Sequence, residues 1–213
     1  MAIKGAIFDM DGVVVDNHRY HFQAWMEFAQ KHKFELNDQI YRDKFNGKTN
    51  ADLFQMIFGK ITPEQEQKLA LEKESLYQKL YEPHMTALKG LYQFLDNLKR
   101  QRIKVALGTS APPMNVGFVI DKLKIRANFD VIIDGSMVKK GKPDPEVYST
   151  CCNHLGLAPY ECVVFEDSLA GLESGKRAGC EIVGVATSHK PWELRSHTDD
   201  IILDFTDKIK HFR

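Results

Sequence analysis

Two aspartates define the chemistry open to this sequence. Asp9 and Asp11 stand two residues apart in Phe-Asp-Met-Asp-Gly, directly after the apolar run Ala6-Ile7-Phe8. In extended or tightly looped backbone that spacing lets both carboxylates approach one centre, where they repel each other unless a cation or a proton joins them. The pair points to a Mg²⁺ site. The same residues also suit a strand-to-turn junction, in which Asp and Gly supply only turn geometry. A calcium loop fits poorly, because it needs more oxygen ligands and a glutamate near its twelfth position, whereas Val13, Val14 and Val15 follow here.

Three further polar clusters follow apolar runs. Thr109 and Ser110 offer hydroxyls and backbone N–H groups just ahead of a helix, which suits a phosphate oxygen and equally an ordinary helix cap. Lys142 is held between Gly141 and Pro143, so its loop position is restrained, although a loop lysine can simply be solvated. Glu166 and Asp167 add two acids that could complete an oxygen shell for Mg²⁺, or could serve as favourable charges at the start of the next helix.

These clusters need strands to carry them. Apolar runs ending at Phe8 and at 103–107, 129–133, 162–165, 181–185 and 201–203 read as strands, and helical spacing over 88–101, 115–124, 145–155 and 168–178 separates them. Such alternation predicts a doubly wound parallel sheet of the α/β class, with the polar clusters at its carboxyl edge, where ligands bind. Between the first strand and the rest, helical patterns run through 18–32, 37–45, 50–58 and 63–82. A helical block of about 65 residues is too long for an ordinary crossover and reads as an inserted domain. The expected division is a core of residues 1–15 and 85–213 with a helical insertion at 16–84.

Composition narrows the partners. The 29 basic residues balance 29 acidic ones, leaving no net field to attract nucleic acid or an anionic membrane, so any phosphate recognition must be local. No segment has the roughly 18 consecutive apolar residues of a membrane span, and residues 1–15 lack the order of a signal peptide. A cytoplasmic protein is expected, and a monomer, since there is no heptad seam. Cys151, Cys152, Cys162 and Cys180 fit no metal spacing and read as buried, reduced thiols.

Taken together, Asp-x-Asp-Gly, Thr-Ser, Gly-Lys-Pro-Asp-Pro and Glu-Asp-Ser-x-x-Gly, in this order around an early helical insertion, resemble the haloacid dehalogenase-like phosphohydrolases. The resemblance spans almost the whole chain and is to the branch that contains β-phosphoglucomutase and small-molecule phosphatases. It implies a Rossmann-like core in which Asp9 takes the phosphoryl group and Asp11 serves as acid and then base. Thr109 and Lys142 would bind phosphate, and Asp9, the Asp11 backbone carbonyl, Asp167 and Glu166 would hold Mg²⁺. The insertion corresponds to a mobile cap that excludes water when closed. His21, Gly47, Lys48, Thr49 and Lys73 match its substrate-side positions, with Ser110 and Ala111 on the core side. Without the resemblance, His21 and Lys73 would be helix-surface residues. Asn50 stands where the mutase has an arginine, and Ala111-Pro112-Pro113 where it has a Ser-Lys-Asn run. The substrate implied is a small phosphorylated metabolite, with hydrolysis favoured over mutase chemistry and a non-catalytic binding module as the third possibility.

Overall fold

The computed structural model describes residues 2–45 and 48–212. In chain order the elements are β1 (Gly5–Phe8), α1 (His18–His32), α2 (Asp38–Ile40) running into a π-helical turn (Tyr41–Phe45), α3 (Asn50–Phe58), α4 (Pro63–Tyr81), α5 (Leu91–Arg100), β2 (Lys104–Gly108), α6 (Pro113–Lys122), β3 (Val131–Ile133), α7 (Glu146–Leu155), β4 (Cys162–Glu166), α8 (Leu169–Ala178), β5 (Glu181–Val185), α9 (Pro191–Leu194) and β6 (Ile201–Ile202). They form two compact units, one made of the stretches ending at Asp16 and starting at Thr86, the other spanning Asn17–Met85.

The first unit is a Rossmann-like, doubly wound α/β core. Among the described residues its strands form one sheet in the order β3-β2-β1-β4-β5-β6, and each neighbouring pair is parallel. The chain winds one way from β1 to β3 and the other way from β4 to β6. The carboxyl ends of β1 and β4 therefore border the crevice where this topology binds ligands. Every residue of β1 and β4 is buried, as expected of central parallel strands covered on both faces.

Strand periodicity sends Ile7 and Phe8 to opposite faces. Ile7 packs with Val164, Ala106, Leu172 and the α7 residues Tyr148 and Cys151. Phe8 pairs in register with Leu107 and Phe165. Its ring stacks on Phe165 at 4.8 Å and meets Phe94 of α5 edge-on at 6.1 Å.

The second unit is helical. Trp25, Phe28 and Ala29 of α1 pack with Leu36, Phe45, Leu53 and Phe54. Thr62 and Gln65 form a reciprocal capping box at the start of α4, with Pro63 at the first helical position, where its missing N–H costs nothing. No helix among the described residues is long and apolar enough to cross a membrane.

Three local expectations needed correction. The helix expected at 115–124 starts at Pro113, because extended Pro112 takes the cap position and Pro113 has the φ a first turn requires. The pattern at 37–45 yields one short α-helical turn capped by Asn37, then a π-helical turn, rather than a single helix. All four cysteines are free, but Cys180 is only partly buried.

Because Phe8 is wholly buried between four aromatic neighbours, Phe8→Ala should destabilise the protein by about 3–5 kcal/mol. Urea midpoints would measure this, and a loss under about 1 kcal/mol would contradict the packing described.

Candidate active site

The sheet itself aims the first residues of the site. The Asp9 amide donates to the Phe165 carbonyl at 3.0 Å, extending the β1–β4 ladder one residue past β1. Likewise, the Thr109 amide donates to the Ile133 carbonyl at 3.0 Å just past β2. Glu166 closes β4, and Asp167 follows it. Asp9, Thr109, Glu166 and Asp167 are all buried, so one edge of the sheet holds three enclosed carboxylates and a hydroxyl.

Lys142 reaches this edge from the loop after β3. Its Nζ lies 2.9 Å from Asp9 Oδ1 and 2.6 Å from Glu166 Oε1. The loop is pinned to α7 and α8: Glu146 Oε2 accepts from the Lys139 and Lys140 amides, and Ser174 Oγ donates to the Asp144 carbonyl. Lys142 is thus a buried, paired cation rather than a solvated loop residue.

Glu166 is committed more fully than its sequence position suggested. Its Oε1 accepts from Lys142 Nζ and from Tyr148 Oη at 3.1 Å. Its Oε2 accepts from the Ser168 amide at 2.7 Å and from Ser168 Oγ at 3.0 Å. Ser168 also caps α8 by accepting from the Gly171 amide. A Cβ on Gly171 would fall 1.8 Å from Glu166 Oε1, so the last glycine of Glu-Asp-Ser-x-x-Gly makes room for that carboxylate.

Thr109 Oγ1 accepts from the Ala111 amide at 3.1 Å, leaving the hydroxyl proton for another acceptor. Ser110 is exposed, whereas Ala111 is buried and its carbonyl accepts from the Gly135 amide. Gly12, at φ 81°, turns the chain after Asp11, and its carbonyl accepts from Thr187 Oγ1 at 2.6 Å.

The candidates in the helical unit have other surroundings. Lys73 is buried, 2.9 Å from Glu74 Oε1 and 3.2 Å from His21 Nδ1. It is therefore not the helix-surface residue its spacing alone suggests. The His21 ring stacks on Tyr77 at 3.8 Å, and Asn50 Nδ2 donates to the same Glu74 oxygen at 2.6 Å. Thr49 caps α3 by accepting from the Asp52 amide, and Lys48 is exposed. Gly47 lies outside the described residues.

Sequence reasoning missed Tyr148, Glu74 and the Thr187-Ser188-His189 turn. Tyr148 was hidden in the apolar stripe of α7. Thr187 and Ser188 carried the signal that singled out Thr109 and Ser110, a polar pair just past a strand, and Ser188 Oγ donates to the Asp167 carbonyl at 2.9 Å.

Electrostatics and geometry together fit a hard cation. One oxygen each of Asp9, Glu166 and Asp167 lie within 4.8 Å of one another. Asp9 Oδ1 has Lys142 close by but makes no well-directed hydrogen bond. Burial pushes the Asp9 carboxyl up to about 7; Lys142 opposes this, while Glu166, Asp167 and Asp11 reinforce it. Burial also works against the Lys142 ammonium, but Asp9 and Glu166 outweigh it and hold its pKa above the ordinary lysine value. The carboxylates outnumber the one buried cation, and an all-oxygen set suits Mg²⁺.

In the metal-free protein, folded Asp9 keeps a proton that the unfolded chain releases near its ordinary value of 3.8. The folded state therefore binds more protons across that window, and stability declines as pH rises from about 4 to about 7. Asp9→Asn escapes this decline. In EDTA its urea midpoint should therefore gain on wild type as pH rises across the window. A gap independent of pH would contradict the burial argument.

Comparison with known proteins agrees with this geometry. Residues 6–185 match the family described as haloacid dehalogenase-like hydrolase. The chain is 32% identical over 191 residues to the β-phosphoglucomutase of Bacillus subtilis, covering 86% of this chain and 83% of that protein. It is also 32% identical over 192 residues to a phosphorylated carbohydrates phosphatase of Thermotoga maritima, covering 87% of each. The crystal structure of a HAD hydrolase, family IA, variant 3, from Entamoeba histolytica superposes with a TM-score of 0.89 at 29% identity, covering 98% of this chain and 96% of that one. With its carboxylates, lysine and threonine set on the edge of this sheet, the chain belongs to the haloacid dehalogenase-like hydrolases.

Proposed function

We propose that this protein is a Mg²⁺-dependent phosphatase of small phosphorylated metabolites, sugar phosphates first among them, working through an aspartyl phosphate on Asp9. The observation that carries the reading is the buried Asp9–Lys142–Glu166 arrangement, in which one cation stands beside the acid that would meet a phosphate dianion.

In this mechanism an Asp9 oxygen attacks phosphorus and the bond to the ester oxygen breaks. Asp11 gives its proton to the departing oxygen, then takes one from the water that attacks the phosphoenzyme, and as that water bonds to phosphorus the bond to the Asp9 oxygen breaks, releasing inorganic phosphate and restoring the carboxylate. Dividing the transfer into two steps is the gain of covalent catalysis, and the acid–base partner should contribute roughly 10²–10⁴-fold. Lys142 and the Thr109 hydroxyl hold phosphoryl oxygens, and Lys142 offsets repulsion between Asp9 and the incoming dianion. Asp9, Asp167 and the Asp11 backbone carbonyl would hold Mg²⁺, with Glu166 behind them; bound there, the cation would neutralise charge on the phosphoryl group. Residues 17–85 act as the cap that selects the substrate, with His21 and Lys73 as its polar contributors. The enzyme works as a cytoplasmic monomer, without nucleic acid or membrane.

Mutase chemistry is the second reading, since the relatives at 32% identity include a mutase as well as phosphatases. A mutase must also hold a second phosphate. Asn50 cannot offer the bidentate fork of an arginine, and its amide is already given to Glu74. Lys73 is likewise neutralised by Glu74. Both features weaken a distal phosphate site and favour hydrolysis.

Wild type should hydrolyse p-nitrophenyl phosphate or acetyl phosphate with Mg²⁺, and Asp9→Asn, nearly isosteric, should abolish turnover without unfolding the chain. Retained activity in that variant would overturn the covalent mechanism. Lack of turnover across phosphorylated metabolites would point to a binding module instead.

Asp167→Ala should move half-maximal activation to at least about tenfold higher Mg²⁺. An unchanged magnesium dependence would remove Asp167 from the proposed site. ³¹P NMR of β-glucose 1-phosphate with Mg²⁺ and a bisphosphate primer separates the two chemistries: inorganic phosphate should accumulate, whereas stoichiometric glucose 6-phosphate would restore the mutase.

A further inference from the structure

We infer that Tyr148 is a positioning residue for Lys142, acting through Glu166. Tyr148 lies on α7 and is wholly buried, with its ring in the core cluster on one face of the sheet. Its hydroxyl is the polar end of an otherwise apolar helix stripe, and it donates to Glu166 Oε1 at 3.1 Å. Lys142 Nζ shares that oxygen at 2.6 Å and sits 5.0 Å from the centroid of the Tyr148 ring. One side chain therefore holds the anchor of Lys142 through its hydroxyl and presents an aromatic face to the ammonium itself.

The count of donors explains why the hydroxyl matters. A carboxylate has about four acceptor positions. Those of Glu166 are met by Lys142 Nζ, Tyr148 Oη, the Ser168 amide and Ser168 Oγ, two on each oxygen. With every position met, the carboxylate has one orientation that satisfies it, and Lys142 is held where its Nζ also lies 2.9 Å from Asp9 Oδ1. Without the hydroxyl, Oε1 keeps a single donor, and Glu166 can turn to share Lys142 differently. A buried acceptor left one partner short is costly, which gives the pair a reason to move. Phenylalanine would fill the same core volume and keep the aromatic face, so Tyr148→Phe removes only the hydrogen bond.

The kinetic consequence rests on the proposed phosphatase reaction, but the positional one does not. Two measurements keep them apart. The ¹⁵N-labelled Lys142 ammonium, assigned by its loss in Lys142→Arg, should exchange its protons several-fold faster with water in Tyr148→Phe. With p-nitrophenyl phosphate and Mg²⁺, kcat should fall about tenfold while KM stays within about twofold, because the lysine would be misplaced most where charge builds up at phosphorus. A purely structural tyrosine would lower the melting temperature and leave both readings unchanged. Unaltered ammonium exchange overturns the inference whether or not the enzyme turns over. Faster exchange with unchanged kcat also overturns it, since Lys142 would then need no such positioning. If wild type proves inactive on every phosphate ester, the proposed function fails, and the exchange measurement alone decides the role of Tyr148.

Discussion

The structure around the site depends on one buried cation. Lys142 stands between Asp9 and Glu166 in a sheet edge that also holds Asp167, all of them enclosed. Removing charges from water is costly, and such a group persists only when pairing and hydrogen bonds meet each member. Much of the surrounding architecture serves that need. Backbone ladders fix Asp9 and Thr109, the loop between β3 and α7 is tied down on both sides of Lys142, and Ser168 and Tyr148 complete the shell of Glu166.

The arrangement is unbalanced in a way that suits its chemistry. Glu166 is fully met by protein donors, whereas Asp9 has an oxygen beside Lys142 without a well-directed bond, and burial holds its carboxyl up near 7. A perturbed acid beside a specific charge partner is a common mark of functional sites, whose groups are arranged for a reacting partner rather than for folding alone.

The helical unit applies the same physics differently. Its buried Lys73–Glu74 pair accepts an amide from Asn50 and touches His21, so charge and hydrogen bonds close on themselves. The Lys73 ammonium thus has a protein carboxylate as its partner, and Asn50 gives its amide to the same oxygen. Identity to relatives could not separate mutase from phosphatase, since 32% is reached against both.

Much of this was legible in the sequence because it rests on local rules. Apolar runs ending in acids announce strands that deliver carboxylates to one edge, and the alternation of strands with helices implies a parallel sheet. Asp9, Thr109, Lys142, Glu166 and Asp167 could be singled out because each is polar immediately beside a strong structural signal. What only the tertiary structure decided is who touches whom. Tyr148 looked like one more apolar position on α7, and its hydroxyl acquired a role only when β4 placed Glu166 opposite it. Lys73 read as a surface lysine because helical spacing says nothing of the neighbouring helix, and packing, not propensity, buried it against Glu74 and His21. Sequence shows Glu166 only as a carboxylate past an apolar strand, whereas two of the donors on its oxygens, Lys142 and Tyr148, come from segments distant in the chain and join Ser168 just past β4. Residue type and spacing determined which groups arrive at the sheet edge. Only the close packing of separate elements, in which a burial penalty must be met by particular partners, determined what each one is committed to.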